Sequence, residues 1–127
     1  MRKSLEEGGL DPLVFHATGA GGKSMESLIQ SGLISACMDI TTTEVADEVV
    51  GGVMAGGPTR LEAAVEAGIP LVVSVGGLDM VNFGARDTVP EKFSHRQLYV
   101  HNKHVTLMRT DVSGRGLLLY FNLMNTT

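Results

Sequence analysis

One stretch decides the fold: LVFHATGAGGKSMESLI, residues 13–29. A short apolar run ends at Ala17 and Thr18, three of the next four residues are glycine, and apolar residues then recur at helical spacing. We therefore expect a strand, a glycine-rich turn and a helix. The first amides of a helix have no intrahelical partner, and glycine lets a phosphate approach them closely. The stretch predicts an anion site, foremost for the phosphates of a nucleotide.

Two other interpretations of this turn stay open. The pattern from Ala17 to Ser24 fits a relaxed P-loop with alanine in place of the first glycine, and Asp39 would then be the magnesium-side acid. The chain is short for such a domain, and the strict first glycine is missing. The other interpretation is a tight turn between strand and helix in which the glycines serve packing alone. Lys23 or Ser24 would add a donor in any ligand site.

Composition bounds the class of protein. A chain of 127 residues builds one small core. The net charge of −4 argues against a nucleic-acid surface, so we expect no direct nucleic-acid binding. No apolar run reaches the length of a membrane span, and the N-terminus lacks the apolar core of a signal peptide. Cys37 is the single cysteine, which excludes a disulfide framework and favours a cytoplasmic protein.

Strand and helix patterns alternate three times along the first 75 residues. After the helix at 22–31, the apolar run at 34–40 predicts a buried strand, and Val45 to Val50 predicts a helix behind a threonine cap. A third helix should begin near Pro58, with Val65 inward and Arg60 outward, and the run at 69–75 is the cleanest strand. This alternation predicts an α/β fold with a parallel sheet covered on both faces.

Three loops follow the carboxyl ends of these strands, where ligands bind in open α/β sheets. Threonine hydroxyls could donate to phosphate or ribose oxygens, and Glu44 or Asp79 could accept from ribose or hold magnesium through water. The threonine run could equally be a helix cap alone, His16 a structural histidine, and Glu44 and Asp47 first-turn acids. The candidate nucleotide-binding residues are His16, Thr18, Gly19, Ala20, Gly21, Gly22, Thr41, Thr42, Thr43, Glu44, Gly76, Gly77 and Asp79.

Residues 78–110 are less periodic. Three of the four histidines lie here, but no cysteine or close acid accompanies His101 and His104, so a zinc site is not favoured. A loop that carries Arg96, His101 or Arg109 towards a bound anion is the more economical prediction.

Five blocks in order resemble one family, the ATP-binding domain of the plant inhibitor of tobamovirus RNA replication and its uncharacterised bacterial relatives. The resemblance runs from about Asp11 to Thr110. The blocks are FHATGAGG at 15–22, DITTTEVADE at 39–48, GGPTRLEAA at 56–64, LDMVNFG at 78–84, and YVHN at 99–102 with TLMRT at 106–110.

The resemblance implies a Rossmann-like three-layer sandwich with a mostly parallel sheet flanked by helices. The family domain is about three times as long, with ATP in the cleft between two such subdomains, and this chain would be most of the second. The plant member inhibits viral RNA replication by binding the viral replicase. Carried over by position, the turn from Thr18 to Gly22 faces the phosphates and the run from Thr41 to Glu44 lines the same cleft. No catalytic residue is implied.

Two departures shape the functional expectation. The first subdomain would be missing, and residues 111–127 form a divergent apolar tail, so residues 1–127 would be a single truncated subdomain. Removing a subdomain bares an interface, so we expect a homo-oligomer, with a protein partner as a further possibility. We expect a module that binds ATP, with magnesium as a candidate, without efficient hydrolysis. The alternatives are an oligomeric interaction domain or remnant and, more weakly, an enzyme that uses Glu44 or His16.

Overall fold

A computed structural model describes residues 1–110 of the chain. Its helices are α1 (Arg2–Glu7), α2 (Gly19–Gln30), α3 (Thr43–Val50) and α4 (Glu62–Glu66). Its strands are β1 (Cys37–Thr41), β2 (Leu71–Gly76), β3 (Met80–Phe83), β4 (Leu98–Asn102) and β5 (Val105–Arg109). Two short 3₁₀ turns, Arg86–Thr88 and Glu91–Phe93, lie between β3 and β4. The predicted tail at 111–127 lies outside the described residues.

The first sheet is the parallel pair β1–β2. Helices α2 and α4 pack against it around a small core of Ile29, Cys37, Ala63 and Ala64. The parallel pairing confirms the predicted alternation of strand and helix, because a crossover containing helices must connect two parallel strands. The strands predicted at 34–40 and 69–75 and the helices α2 and α3 exist, with bounds shifted by up to three residues.

The second sheet is antiparallel, with β5 between β3 and β4. Val81, Phe83 and Met108 are buried in its core together with Ala46 of α3. Strands β4 and β5 form a hairpin at a turn in which the side-chain oxygen of Asn102 accepts a hydrogen bond from the His104 amide. The structure is therefore α/β with a small parallel sheet and a separate antiparallel sheet, where the sequence predicted one mostly parallel sheet.

Several local expectations were wrong. The run from Leu13 to Phe15 forms no strand, because no neighbouring strand pairs with it in residues 1–110, and Leu13 and Val14 are exposed. The region from 98 to 109 is a hairpin with His101 and Arg109 on strands, so it is no loop over a ligand. Sequence analysis missed this hairpin because the region is weakly periodic and its turn depends on the Asn102 side chain.

The third expected helix begins four residues later than predicted. It covers only Glu62–Glu66, because Leu61 has a left-handed backbone (φ 87°) and no helix can pass through this residue. This break reverses the expected orientation of two side chains. Arg60 is only 3% exposed and points inward, whereas Val65 is exposed. Among the described residues, no helix combines the length and the apolar character needed to cross a membrane.

Candidate ligand-binding site

The carboxyl ends of β1 and β2 meet at one edge of the parallel sheet, as predicted. The Thr42 amide donates to the Gly76 carbonyl oxygen (2.7 Å), and the Thr42 hydroxyl donates to the Ser74 carbonyl oxygen (3.0 Å). Gly77 has a φ of +83° and packs against Thr41 and Thr43, which fixes the loop after β2 beside the start of α3. Two of the three predicted loops are therefore joined by direct hydrogen bonds.

The glycine-rich turn caps α2 and allows close approach of other backbone segments. Thr18 is the N-cap, and its hydroxyl oxygen accepts a hydrogen bond from the Gly21 amide (3.3 Å). A Cβ atom on Gly19 would collide with the Ala55 carbonyl oxygen, and one on Gly21 with the His16 carbonyl oxygen. Within residues 1–110, the amides of Gly19 and Ala20 have no hydrogen-bond acceptor. The turn thus combines packing constraints with two open amides at the positive end of a helix.

A buried ion cluster lies directly beneath this turn. Arg60 donates from Nε to Glu44 Oε2 (2.7 Å), and its Nη2 lies 2.7 Å from Asp39 Oδ2. A third carboxylate, Glu26, lies 3.5 Å from Nη1 and also accepts a hydrogen bond from the Leu61 amide (3.1 Å). Glu44 is fully buried. Three carboxylates and one guanidinium leave the cluster with a formal charge of −2 when all are ionised.

Burial and pairing act against each other in this cluster. Burial raises the pKa of Glu44 above its ordinary value, while the hydrogen bond and charge of Arg60 oppose that shift. Burial also lowers the pKa of Arg60, but the bonds and charges of Glu44 and Asp39 outweigh it, so the net pKa shift is upward. Burial, with the nearby Asp39 charge, raises the pKa of the Cys37 thiol. Arg60 therefore stays charged, and Cys37 stays a neutral thiol.

Gly22 is the contact between the glycine turn and the cluster. A Cβ atom on Gly22 would lie 2.6 Å from Glu44 Oε1 and 2.7 Å from Arg60 Nε. Gly56 lies on the other side of Arg60, where a Cβ atom would lie 2.9 Å from Arg60 Cδ. The two glycines leave the space in which the Arg60–Glu44 pair is enclosed. The third predicted loop therefore joins the other two through Glu44.

The predicted residues divide by exposure. Those open to solvent are His16, Ala20, Thr41 and Asp79. Those half-buried are Thr18, Gly19, Gly21, Gly76 and Gly77. Those buried are Gly22, Thr42, Thr43 and Glu44. The buried group serves the protein's own packing, so only the first two groups have surface to offer a ligand.

A cavity of about 850 Å³ opens between the N-terminal segment and β1. Its walls are mostly apolar, and the charged residues Asp39, Glu44 and Arg60 contribute to its lining. His16, Gly22 and Thr41, from the predicted list, also line it. The volume falls within the range that small-molecule sites occupy.

Sequence analysis missed Arg60 as the centre of this region. Helical spacing placed it among outward charges, and the break at Leu61 was not visible. Asp39, considered as a magnesium-side acid, is instead paired with Arg60, which removes support from the P-loop interpretation. The one signal was the position of Arg60 two residues after the Gly56-Gly57-Pro58 break, where no helix periodicity applies.

A second buried acid joins α3 to β3 of the antiparallel sheet. Asp47 is fully buried and accepts hydrogen bonds from the amides of Met54 (2.8 Å) and Asn82 (2.9 Å) and from the Asn82 side chain (3.3 Å). Asn82 also donates to the Thr43 hydroxyl (2.9 Å). Burial raises the pKa of Asp47, and these hydrogen bonds oppose the shift. Among residues 1–110, no group of three His, Cys, Asp or Glu side chains is arranged to hold a metal ion.

Comparison with known proteins places the chain in a family. The model of the uncharacterised protein family UPF0261, C-terminal domain, matches residues 1–116. A UPF0261 protein of Clostridium tetani is 62% identical over 109 residues, covering 86% of this chain and 27% of the relative. A UPF0261 protein of Rhizobium meliloti is 59% identical over 100 residues, covering 79% of this chain and 25% of the relative.

A plant protein is nearly as similar. The tomato (Solanum lycopersicum) ToMV resistance protein Tm-1(GCR237) is 54% identical over 112 residues, covering 88% of this chain and 15% of the relative. The resemblance expected from the five sequence blocks is confirmed. The chain spans about a quarter of the length of these bacterial relatives and less of the tomato protein. The chain belongs to the UPF0261 family, through its C-terminal domain.

Proposed function

We propose that the chain is a nucleotide-binding module that holds ATP at the glycine-rich turn without efficient hydrolysis. The observation that carries this proposal is the pair of open amides, Gly19 and Ala20, at the start of a twelve-residue helix beside a cavity of about 850 Å³. Helix N-termini of this kind bind phosphate through amides and the helix dipole. The family resemblance supports ATP as the nucleotide.

The charge of the ion cluster restricts how the nucleotide would lie. Glu26, Asp39 and Glu44 outnumber Arg60, so the ion cluster, three members of which line the cavity, repels phosphates. We infer that the phosphates contact Gly19 and Ala20, next to the exposed His16 and Thr41, and that the uncharged part of the ligand contacts the apolar walls. Of the three acids considered for magnesium, Asp39 and Glu44 are paired with Arg60, which leaves the exposed Asp79.

The test is a charge at the phosphate site that does not harm the helix. Ala20→Glu adds a carboxylate in the first turn of α2, which the helix dipole tolerates but a bound phosphate does not. Isothermal titration with ATP, with and without magnesium, should show binding to the unchanged protein and at least tenfold weaker binding to this variant. Ser27→Glu, on an exposed position later in the same helix, is the control and should bind like the unchanged protein.

Equal affinity in all three proteins would place any ATP elsewhere, and no heat with the unchanged protein would remove the proposal. Phosphate release in the same samples tests for hydrolysis. An enzyme remains the weaker alternative. His16→Ala is the better test of an enzymatic role, because Glu44 supports the buried cluster and replacing Glu44 would disturb the fold.

A second candidate function is an interaction module that forms homo-oligomers or contacts another protein. The specific observation in its favour is the exposure of large apolar side chains, Leu13, Val14 and Val75 among them. The tomato relatives are named for resistance and susceptibility to ToMV, and a role in contacting another protein is compatible with those names. Both functions can coexist at Val75, since the open amides lie on α2 and Val75 lies on β2.

We infer that β1 and β2 belong to a Rossmann-like three-layer sandwich. Helices α2 and α4 supply one layer on the face that carries Cys37 and Leu71. Met38 and Val72, on the opposite face, are exposed. Parallel sheets are normally covered on both faces, so this exposure supports a further layer on that side.

A further inference from the structure

The cavity beside the glycine-rich turn lies between two stretches of chain. Every residue of 10–17 lines it on one side, and every residue of 33–41, which includes β1, lines it on the other. Successive residues of an extended chain point to opposite faces. An unbroken run of lining residues therefore means that the cavity lies along the edge of β1 and not over one face of the sheet. Two backbone edges face each other across about 850 Å³.

Backbone groups on both edges are free to pair. Within residues 1–110, β1 pairs only with β2, and the Cys37 amide donates to the Pro70 carbonyl oxygen on that side (2.8 Å). By alternation, the backbone groups of Met38 point the other way, towards the cavity. Across the cavity, the amides of residues 13–16 have no acceptor within the described part of the chain. Each edge thus offers the donors and acceptors that the other lacks.

The side chains along both edges also gain from pairing. Val14 and Phe15 are residue types that strands favour. Leu13 is nevertheless 57% exposed and Val14 74% exposed, while Met38 of β1 is 44% exposed. Bringing the two edges together removes part of this apolar surface from water, which is favourable.

The connection between the two edges favours a parallel pairing. Helix α2 lies between them in the sequence, and a helix that connects two neighbouring parallel strands is the usual crossover. Both stretches end before a helix N-cap, Thr18 for α2 and Thr42 for α3. Aligning the two caps places Val14 beside Met38. The pairing of β1 with β2 is regular at Met38, since its register shift comes after Asp39.

We propose that residues 12–16 form a strap that moves onto the free edge of β1, pairs with it in parallel and closes the cavity. The described structure is the open position, and the closed position is a sheet in the order strap–β1–β2. Closure removes the apolar space beside Gly19 and Ala20, so the strap controls access to that space. The movement itself needs no nucleotide, and its test is therefore separate from that of ATP binding.

Cysteine pairs detect the closed position. Cys37→Ala first removes the single cysteine of the chain. In this background, Val14→Cys with Met38→Cys places two thiols on neighbouring strands, about 4.8 Å apart, when the strap closes. That spacing lies within the reach of a disulfide. Mild oxidation followed by mass spectrometry measures how fast the bond forms.

Val14→Cys with Val72→Cys is the matched control. Val72 is the partner of Met38 on β2 and is itself exposed, so this pair differs only by one further strand. Two strand spacings exceed the reach of a disulfide. The pair at 14 and 38 should therefore form its disulfide at least tenfold faster than the pair at 14 and 72. Circular dichroism checks that each variant folds.

Leu13→Asp distinguishes closure from chance collision. Leu13 is 57% exposed in the open position, so an aspartate is tolerated there. Closure places this side chain beside Cys37, on the face that α2 and α4 cover, where an unpaired charge is costly. Added to the pair at 14 and 38, Leu13→Asp should slow disulfide formation at least tenfold. Leu33→Asp, on an exposed residue that also lines the cavity, should leave the rate unchanged.

Hydrogen exchange tests the same pairing in the unchanged chain, whether or not the cysteine variants fold. In the aligned register the Phe15 amide donates to the Met38 carbonyl oxygen, while the amides of Val14 and His16 point away from β1. The Phe15 amide should therefore exchange at least threefold more slowly than those two, after correction for intrinsic rates. Equal exchange of the three amides would overturn the proposal. Equal disulfide rates for the two cysteine pairs, or a rate that Leu13→Asp leaves unchanged, would overturn it as well.

Discussion

Gly22 is a glycine because two charged side chains occupy the space that a methyl group would need. Glycine is normally the poorer helix residue, so an alanine in α2 would by itself stabilise the protein by about 1 kcal/mol. At this position the Cβ atom would instead press on Glu44 Oε1 and Arg60 Nε, both of which are buried. The contact with Arg60 and Glu44 should therefore decide whether an alanine at this position stabilises or destabilises the protein.

Gly22→Ala should therefore destabilise the protein, by about 1–3 kcal/mol from crowding and by more if the Arg60–Glu44 pair separates. Urea unfolding followed by circular dichroism measures the change. Ser27→Ala, on the exposed side of the same helix, controls for helix propensity and should be near neutral. A gain in stability with Gly22→Ala would mean that the ion pair does not lie against this turn.

At the scale of elements, Glu26 connects α2 to the start of α4. Its Oε1 accepts a hydrogen bond from the Leu61 amide (3.1 Å) and lies 3.5 Å from Arg60 Nη1. This hydrogen bond helps to hold Leu61 in its left-handed conformation, which is rare for a residue with a side chain. This one carboxylate thus connects α2 both to the residue that precedes α4 and to Arg60.

Two substitutions of Glu26 separate these contacts. Glu26→Gln keeps an oxygen for the Leu61 amide and loses only the charge near Arg60, whereas Glu26→Ala loses both. We expect Glu26→Ala to lower the free energy of unfolding by about 2–3 kcal/mol, since a buried donor is left without an acceptor. Glu26→Gln should show a clearly smaller loss by urea unfolding. Equal losses of unfolding free energy in the two variants would show that the hydrogen bond from the Leu61 amide contributes nothing to stability.

Local patterns predicted the elements whose signals are local. Strands β1 and β2 and helices α2 and α3 were predictable because apolar runs and caps mark them directly. The strand expected at Leu13 to Phe15 failed because its formation depends on a neighbouring strand, which no local pattern specifies. The β4–β5 hairpin was missed because its turn depends on the side chain of Asn102 rather than on glycine or proline.

The same distinction holds for the candidate site. The glycine turn and the threonine run could be located from the sequence, because strand ends collect ligand loops. The sequence could not show that Thr42, Thr43 and Glu44 are buried. Their burial depends on Ser74, Gly76 and Arg60, which are distant in the chain. Arg60 itself was misassigned because its orientation depends on the backbone of the next residue.

At the scale of the molecule, Asp47 connects α3, the helix that follows β1, to β3 of the antiparallel sheet. It lies on α3, close to the end of β1, and holds the backbone and side chain of Asn82 on β3. A Cβ atom on Gly52 would strike the Asp47 carboxylate, so the chain closes tightly around this acid. The unfolding of one sheet should therefore be coupled to that of the other.

Asp47 also predicts a pH dependence. Burial raises its pKa above the ordinary 3.8, so between 3.8 and the raised value the folded state binds the proton more readily than the unfolded chain. The contribution of Asp47 to the free energy of unfolding therefore falls as pH rises through this window. Asp47→Asn removes that contribution, so the difference between the two proteins should change with pH there and become constant above it.

The substitution should also weaken the link itself. The asparagine amide group would face a donor, either the Met54 amide or the Asn82 groups, so at least one hydrogen bond is lost, with a loss of about 1–3 kcal/mol at neutral pH. Urea unfolding from pH 3.5 to 8, followed by circular dichroism and by a label on the β4–β5 hairpin, measures both effects. The two signals should coincide in the unchanged protein and separate in Asp47→Asn. Coincident transitions in both proteins, with a difference that does not vary with pH, would show that the sheets are coupled through other contacts.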